Sequence, residues 1–577
     1  MDDYDLRHRR WAPVHYIRGD TGHTGLQGLI AEAELIRSIN APMPPGYAAL
    51  WHVLTALTYR ITRLDTQDEP YEWLRRRDQW LAHGTFTSVP PGLRGTWPED
   101  PAGDPVEQYF SRFADRFALF GARPFLQDIR LRDQCVKTEK KEKVPDTSGV
   151  NKFVLGRPVG ENGATWWTRH HDGDQRPVPP GEAIWWLLVQ WYYGAAGKIT
   201  AREVNGKKTS DSKSGMLRGT ISYYPRGHRL FDSLLISLVP PAGAQPEDTA
   251  AAGPDLCPWE RKDLPDPDAP PRPGGMCSLL TAVHKHSFLL VPDLEGNVAD
   301  VYRTWAYRAA AWPERLPANP FLAYRVDGEA PRPRRAQPGR ALWRDLDGLL
   351  PQAQVSAGQT QGRRRAVYRR PAFLDEFAEI GTRRGIVAVG FHQDPKTVDH
   401  EWWMAASPQA LMDCFDAENP EYYHPQLARA AVRILDRLER AWLTLKICLG
   451  RAWTEGTRGD SDSKLSGAWP AQAEPVFWEQ AERFFERRLR AEADASPSAT
   501  SHPQGGVAEE SRPSVGNDAE AETERQVRGL VRRIYDEVTA VVVARQPGEV
   551  DPYLQMAVLE HRPHTSRGRP FRERNDV

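Results

Sequence analysis

Three apolar stripes at helical spacing occupy the last third of the chain and constrain its fold more than any other feature. Leu427, Ala431, Ile434, Leu435, Leu438, Trp442, Leu445 and Leu449 form the first stripe. Phe477, Ala481, Phe484, Phe485 and Leu489 form the second, and Val527, Leu530, Val531, Ile534, Val538, Val541 and Val542 the third. Steps of three and four place each set on one helix face. A face of that kind must be buried against its like, so a helical bundle is expected. A shorter helix is expected within residues 551–562. Between the second and third stripes, residues 494–524 are rich in Ser, Pro, Gly and acids. Such a segment lacks the apolar area to offset its ordering entropy and is expected to be disordered. The pattern changes near residues 395–405, which divides the chain into an N-terminal α/β domain, 1–398, and a helical domain, 399–577.

The first domain reads as mixed. Trp11, Val14 and Tyr16 suggest a strand over residues 11–18. Helices are expected over 25–38 and over 47–63 with Leu50, Val53, Leu54, Leu57 and Ile61 on one face. Tyr109, Phe110, Phe113, Phe117 and Phe120 suggest one aromatic helix face, read as core. His284 and His286 alternate in an expected strand over 284–292 and are read as structural. With 49 prolines and 20 tryptophans in 577 residues, the connections should be long, ordered and anchored by large side chains. The fold class is therefore α+β: a large mixed N-terminal domain with irregular loops, then a helical bundle.

Charge narrows the function. Lys and Arg total 76 against 77 acids, which excludes a uniformly basic coat but leaves local patches. Residues 137–152 hold five Lys against three acids, 198–218 six basic residues against two, and 329–370 ten Arg against three. The last seventeen residues hold five Arg against two acids. Basic loops containing Gly and Ser are the usual source of phosphate contacts, although a solvated surface has the same composition.

Motifs for catalysis are missing. There is no H-E-x-x-H and no G-x-S-x-G. Neither residues 194–198 nor Gly206, Lys207, Lys208 and Thr209 have the spacing of a phosphate-binding P-loop. His170, His171 and Asp172 lack a second ligand cluster at metal spacing. Five cysteines without a C-x-x-C pair argue against a zinc site or a disulfide framework. No cofactor, metal or enzymatic activity is expected. An N-terminus without an apolar core and the lack of an 18-residue apolar run point to a cytoplasmic protein without membrane spans.

Several short motifs in order resemble the large subunit (CasA-type, Cse family) of the type I-E CRISPR Cascade complex. They are Trp11-Ala-Pro-Val14, Leu26-Gln-Gly-Leu29, Arg123-Pro-Phe-Leu-Gln127, Gly215-Met-Leu-Arg218-Gly-Thr220, Pro258-Trp-Glu260 and Gly390-Phe391. Residues 477–487 and 551–560 resemble parts of that family's C-terminal four-helix bundle. Two departures stand out: paired cysteines found in some relatives are missing, and residues 494–524 have no counterpart. The resemblance implies a subunit that works with the other Cascade subunits, the guide RNA, double-stranded target DNA and a separate helicase-nuclease. In such complexes base pairing reads the target, while protein reads a short PAM and helps separate the strands. Gly194, Ala195, Ala196 and Gly197 would approach the PAM duplex, with Lys198 on phosphate. Gln393, Asp394, Pro395 and Lys396 would form a wedge beneath the PAM; a family member reads N-N-Q-A here, so Gln393 is displaced from its glutamine. Trp166, Trp167 and Arg169 would meet the guide RNA. An interdomain hinge is the competing reading of the wedge. For the whole chain the alternatives are a stand-alone nucleic-acid-binding protein or a divergent hydrolase.

Overall fold

The computed structural model describes residues 3–67, 69–157, 175–240, 253–308, 318–340, 342–351, 366–375, 385–394, 398–407, 425–456, 467–495, 515–545, 556 and 558–563. These fall into two units: the first within 1–342 and 366–407, the second within 343–351 and 425–563.

The first unit opens with β1 (Ala12–Tyr16), β2 (Thr21–Thr24), α1 (Leu26–Ala31), β3 (Ile36–Ile39), α2 (Pro44–Thr62), α3 (Pro70–His83) and α4 (Pro105–Arg112). There follow α5 (Leu131–Gln134), β4 (Val136–Glu139), β5 (Glu142–Pro145), α6 (Pro180–Tyr193), β6 (Gly197–Val204), β7 (Lys207–Ser212), β8 (Ile221–Arg226), α7 (Leu230–Ile236) and α8 (Met276–Thr281). The unit closes with β9 (His286–Pro292), β10 (Val298–Trp305), β11 (Tyr324–Arg325), β12 (Arg332–Pro333), β13 (Tyr368–Arg369), β14 (Gly385–Gln393) and β15 (Asp399–Ala406). The sheets are small and antiparallel: β2-β1-β3, β12-β11-β13, β15-β14-β8 and three two-stranded ribbons.

Two helices make the centre. α2 starts at Pro44 and Pro45, which suit a first turn whose N–H groups have no helical partner, and stops at Arg63 in the left-handed region (φ 57°). Residues 183–193 of α6 and nearly all of α2 are buried. A helix covered on all sides belongs inside a core, and the stripe read at 47–63 is the strongest part of a wider apolar surface. His52 sits among Tyr192, Tyr224 and Phe321. Burial pushes its pKa down to about 4.

Several expectations change. The helix read over 25–38 ends at Ala31, and Ile36–Ile39 instead pairs with β1. The aromatic stretch is not one helix. Asp104 caps α4 through the amides of Val106 and Glu107, the helix ends before Phe113, and a 3-10 turn follows. Phe117 then stacks on Phe125 at 5.7 Å, so the aromatic core is real although its helix is short. The basic stretch 137–152 contains the β4–β5 hairpin, and 198–218 the β6–β7 hairpin, which turns through Asn205 and Gly206 at φ 50° and 72°.

In the second unit, α9 (Leu346–Leu349) precedes three long helices, α10 (Pro425–Gly456), α11 (Ala468–Ala495) and α12 (Val515–Arg545). Among the described residues their stripes are buried through residue 538: Leu435, Leu438, Phe477, Phe485, Leu530 and Ile534 lie in its core. Residues 558–560 add a helical piece whose Val558 carbonyl accepts from Tyr535 Oη at 2.7 Å. Residues 494–495 end α11 and 515–524 begin α12, so these parts of the segment expected to be disordered are helical. Residues 496–514 lie outside the described residues. Residues 399–406 form β15 on the first unit's sheet rather than opening the helical domain at 399, because their backbone pairs with β14.

Candidate nucleic-acid interface

α6 is the base on which the glycine loop is built. Its last amide bond runs from Gly194 N–H to the Gln190 carbonyl, and the chain leaves the helix at Gly194 in an extended conformation. The residue must be small. A Cβ there would overlap the His286 ring and lie 2.8 Å from the Gln190 carbonyl oxygen. His286 Nε2 donates to the Ala195 carbonyl at 2.9 Å, since that oxygen can only accept. Burial pushes the imidazole down to about 3, so it is neutral and holds the loop by hydrogen bonding rather than by charge. Gly197 has φ 114°, a conformation that a side chain strains, and nothing lies within 4 Å of where its Cβ would be. Gly197 and Lys198 are exposed.

The wedge stretch is arranged differently from its sequence reading. β14 runs through Gly390 to Gln393, paired on one side with β8 and on the other with β15. Gln393 is 2% exposed. Its Oε1 accepts from the Gly219 amide at 3.0 Å and its Nε2 donates to Asp399 Oδ1 at 2.6 Å. The amide expected to face a separated base pair is therefore spent inside the protein, and Gln393 belongs to the base of the turn. Asp394 N–H donates to the Val398 carbonyl at 3.0 Å, and Val398 N–H returns to Asp394 Oδ1 at 2.8 Å. Pro395 and Lys396 lie outside the described residues, as do Trp166, Trp167, Arg169 and the sequence His170, His171, Asp172.

Arg218 joins the two segments that sequence reasoning had treated separately. Its side chain is 2% exposed. It donates from NH1 to the Tyr193 carbonyl at 3.0 Å, from Nε to the Asp394 carbonyl at 3.0 Å and from NH2 to the Val398 carbonyl at 3.4 Å. Asp399 Oδ1 lies 3.1 Å from NH1. Burial pulls its pKa down from the ordinary guanidinium value, and Asp399 and Asp394 oppose that shift. The backbone adds a second tie: Gly215 N–H donates to the Gly194 carbonyl and Leu217 N–H to the Tyr192 carbonyl, each at 2.9 Å. Arg335 fastens the other side, donating to the carbonyls of Arg218 and Gln393 at 3.0 and 3.2 Å. One buried guanidinium thus fixes the end of α6 relative to the β14–β15 turn. The motif around Arg218 was visible in sequence, but its role was not, because all its acceptors are distant in the chain.

Residues 5–534 match the family model of CRISPR-associated protein Cse1. The chain belongs to the Cse1 family. A CasA/Cse1 protein of Thermus thermophilus is 24% identical over 357 residues, 61% of this chain and 61% of that protein, so the alignment spans less than two thirds of this curated relative. A chain from a structure of a CRISPR RNA-guided surveillance complex is 29% identical, with 97% of this chain and 98% of that chain covered and a TM-score of 0.67. Cse1 from Acidimicrobium ferrooxidans, 19% identical, shares the fold over 97% of this chain and 99% of its own at a TM-score of 0.62. The Cse1 match agrees with the resemblance drawn from short motifs, and the mixed α+β architecture with a helical C-terminal region is that of Cse1 structures. Among the described residues, no helix is long and apolar enough to cross a membrane.

Proposed function

We propose that this chain is the large subunit of a CRISPR RNA-guided surveillance complex, binding PAM-bearing double-stranded DNA and assisting its opening. The observation that carries the reading is the likeness, over almost the whole of both chains, to a chain from such a complex. The bracing of two candidate DNA-contacting segments by Arg218 supports it. A reader of short duplex motifs needs rigid backbone at the contact, because ordering a loose loop on binding costs roughly 1–2 kcal/mol per residue. Gly197 offers backbone without a side chain, and Lys198 offers an exposed cation for phosphate. The turn closed by Asp394 and Val398 carries Pro395 and Lys396 as the wedge, with Gln393 as its internal support. Trp166 and Trp167 stack on unpaired guide-RNA bases and Arg169 meets phosphate. The other subunits supply the remaining contacts with guide RNA, and a separate helicase-nuclease degrades the opened DNA in the cytoplasm. This chain performs no chemical step itself and uses no cofactor.

The test is binding of a randomised PAM library by the complex reconstituted with and without this chain. PAM-selective binding that requires the chain is expected. Binding that is independent of the chain, or shown equally by the chain alone, refutes the reading and favours a stand-alone nucleic-acid-binding protein.

A further inference from the structure

The second unit gathers two carboxylates and a histidine at a place that none of the nucleic-acid contacts proposed above uses. Glu455 lies near the end of α10, Glu560 closes the helical piece at 558–560, and His561 follows it. One donor atom of each residue lies within 4.8 Å of the other two: a carboxylate oxygen from either glutamate and a ring nitrogen of His561. His561 Nε2 is 2.5 Å from Glu455 Oε2, across 106 positions of sequence.

Carboxylates this close repel one another unless a cation lies with them. Elsewhere the protein supplies that cation itself. Asp65, Asp255 and Cys277 form a similar group in the first unit, and the Arg60 guanidinium pairs with both aspartates there. Around Glu455 and Glu560 no Lys or Arg does this: among the described residues the partner of Glu455 is His561, and neither glutamate has an Arg or Lys partner. Arg562, the next residue in the chain, instead lies 3.8 Å from Asp536 on α12. That contact and the Tyr535 hydrogen bond to the Val558 carbonyl at 2.7 Å fix the segment on either side of Glu560 and His561. The donors are therefore held in place on one side, and little further ordering is needed to bring them onto an ion.

One imidazole nitrogen with two carboxylates is a donor set suited to zinc, whereas magnesium and calcium favour oxygen alone. In a tetrahedral zinc shell neighbouring donors stand about 3.3 Å apart. Both glutamates are exposed, so rotation of their side chains suffices to reach that spacing. We propose that Glu455, Glu560 and His561 bind one Zn²⁺ ion, with water in the remaining position. Binding replaces the hydrogen bond between His561 and Glu455, since a metal takes the lone pair of a neutral imidazole. The ion ties residues 560–561 to α10 as well as to α12, a structural role that uses no cysteine and involves no reaction. The proposal does not depend on the function proposed above.

The experiment titrates the full chain, freed of any affinity tag and of bound metal, with zinc chloride in a calorimeter. One saturable site per chain is expected. Glu455→Gln, Glu560→Gln and His561→Gln should each weaken it at least about tenfold, because loss of even an outer-shell partner commonly costs that much. A matched unfolding midpoint in EDTA shows that each variant folds. Hydrogen exchange then localises the ion: zinc should slow exchange in peptides covering residues 450–456 and 558–563 of the parent chain and of none of the variants. Failure to bind zinc, equal binding by the parent and all three variants, protection confined to other peptides, or magnesium bound as tightly as zinc overturns the proposal.

Discussion

Replacing Arg218 with methionine keeps an unbranched apolar stem in place of the arginine methylenes and removes the charge and donors. The Tyr193 and Asp394 carbonyls then lose partners at 3.0 Å, and Asp399 loses a cation at 3.1 Å. Breaking one side of a buried pair costs about 3–5 kcal/mol. The low end applies, because Asp399 is 27% exposed and can rehydrate, and it keeps the Gln393 amide at 2.6 Å. A local loss of about 3 kcal/mol corresponds to roughly 100-fold faster exchange of protected amides. Hydrogen-exchange mass spectrometry on the isolated chain should show this in two separate peptides, one around residues 190–198 and one around 390–400. Arg218→Lys should be intermediate, since one ammonium cannot span acceptors that a planar guanidinium reaches together. In the reconstituted complex, Arg218→Met should impair binding to PAM-bearing duplex more than to a target already mismatched beside the PAM. Unchanged exchange in either peptide refutes the bracing role, and equal loss on both targets refutes its link to strand opening.

Acid should destabilise the first unit. Burial holds His52 at about 4 and His284 and His286 at about 3, below the ordinary 6.5. Between these values and pH 6.5 the unfolded chain binds protons that the folded chain refuses, so stability falls as pH is lowered through that window. At pH 5.5 each histidine contributes a loss of about 1.4 kcal/mol, which urea unfolding at pH 7.5 and 5.5 should detect; a flat response contradicts the neutral assignment. Gly197→Asp places a charge at an exposed φ of 114° and should weaken PAM-duplex binding more than binding to a pre-opened target, as read by gel shift. Arg429 and Arg433 are exposed on α10, with half-buried Arg437 one turn on. Replacing all three with Ala should reduce the slope of log affinity against log salt by about three units if this face holds phosphate, and an unchanged slope removes that role.

The amphipathic stripes of α10, α11 and α12 were legible because helical burial repeats locally, every three or four residues, and needs no knowledge of distant partners. The basic character of residues 137–152 and 198–218 and the short family motifs were legible for the same reason, as residue types in a fixed local order, whereas the strand pairing that makes those stretches hairpins rather than loops was not. Ile36–Ile39 was misread as helix because only pairing with β1 makes it a strand. The continuation of β14 to Gln393 was missed because it depends on β8 and β15. Gln393, taken for an exposed wedge residue, proved buried because Gly219 and Asp399 arrive from other segments to satisfy both ends of its amide. By itself, the sequence determined the helical end, the charge balance and the order of motifs that mark the Cse1 family. Tertiary structure alone decided that α6 and the β14–β15 turn share one brace. Arg218 takes that role only once Tyr193, Asp394, Val398 and Asp399 surround it. A buried guanidinium must find its acceptors wherever folding brings them, and local spacing carries no record of where that will be.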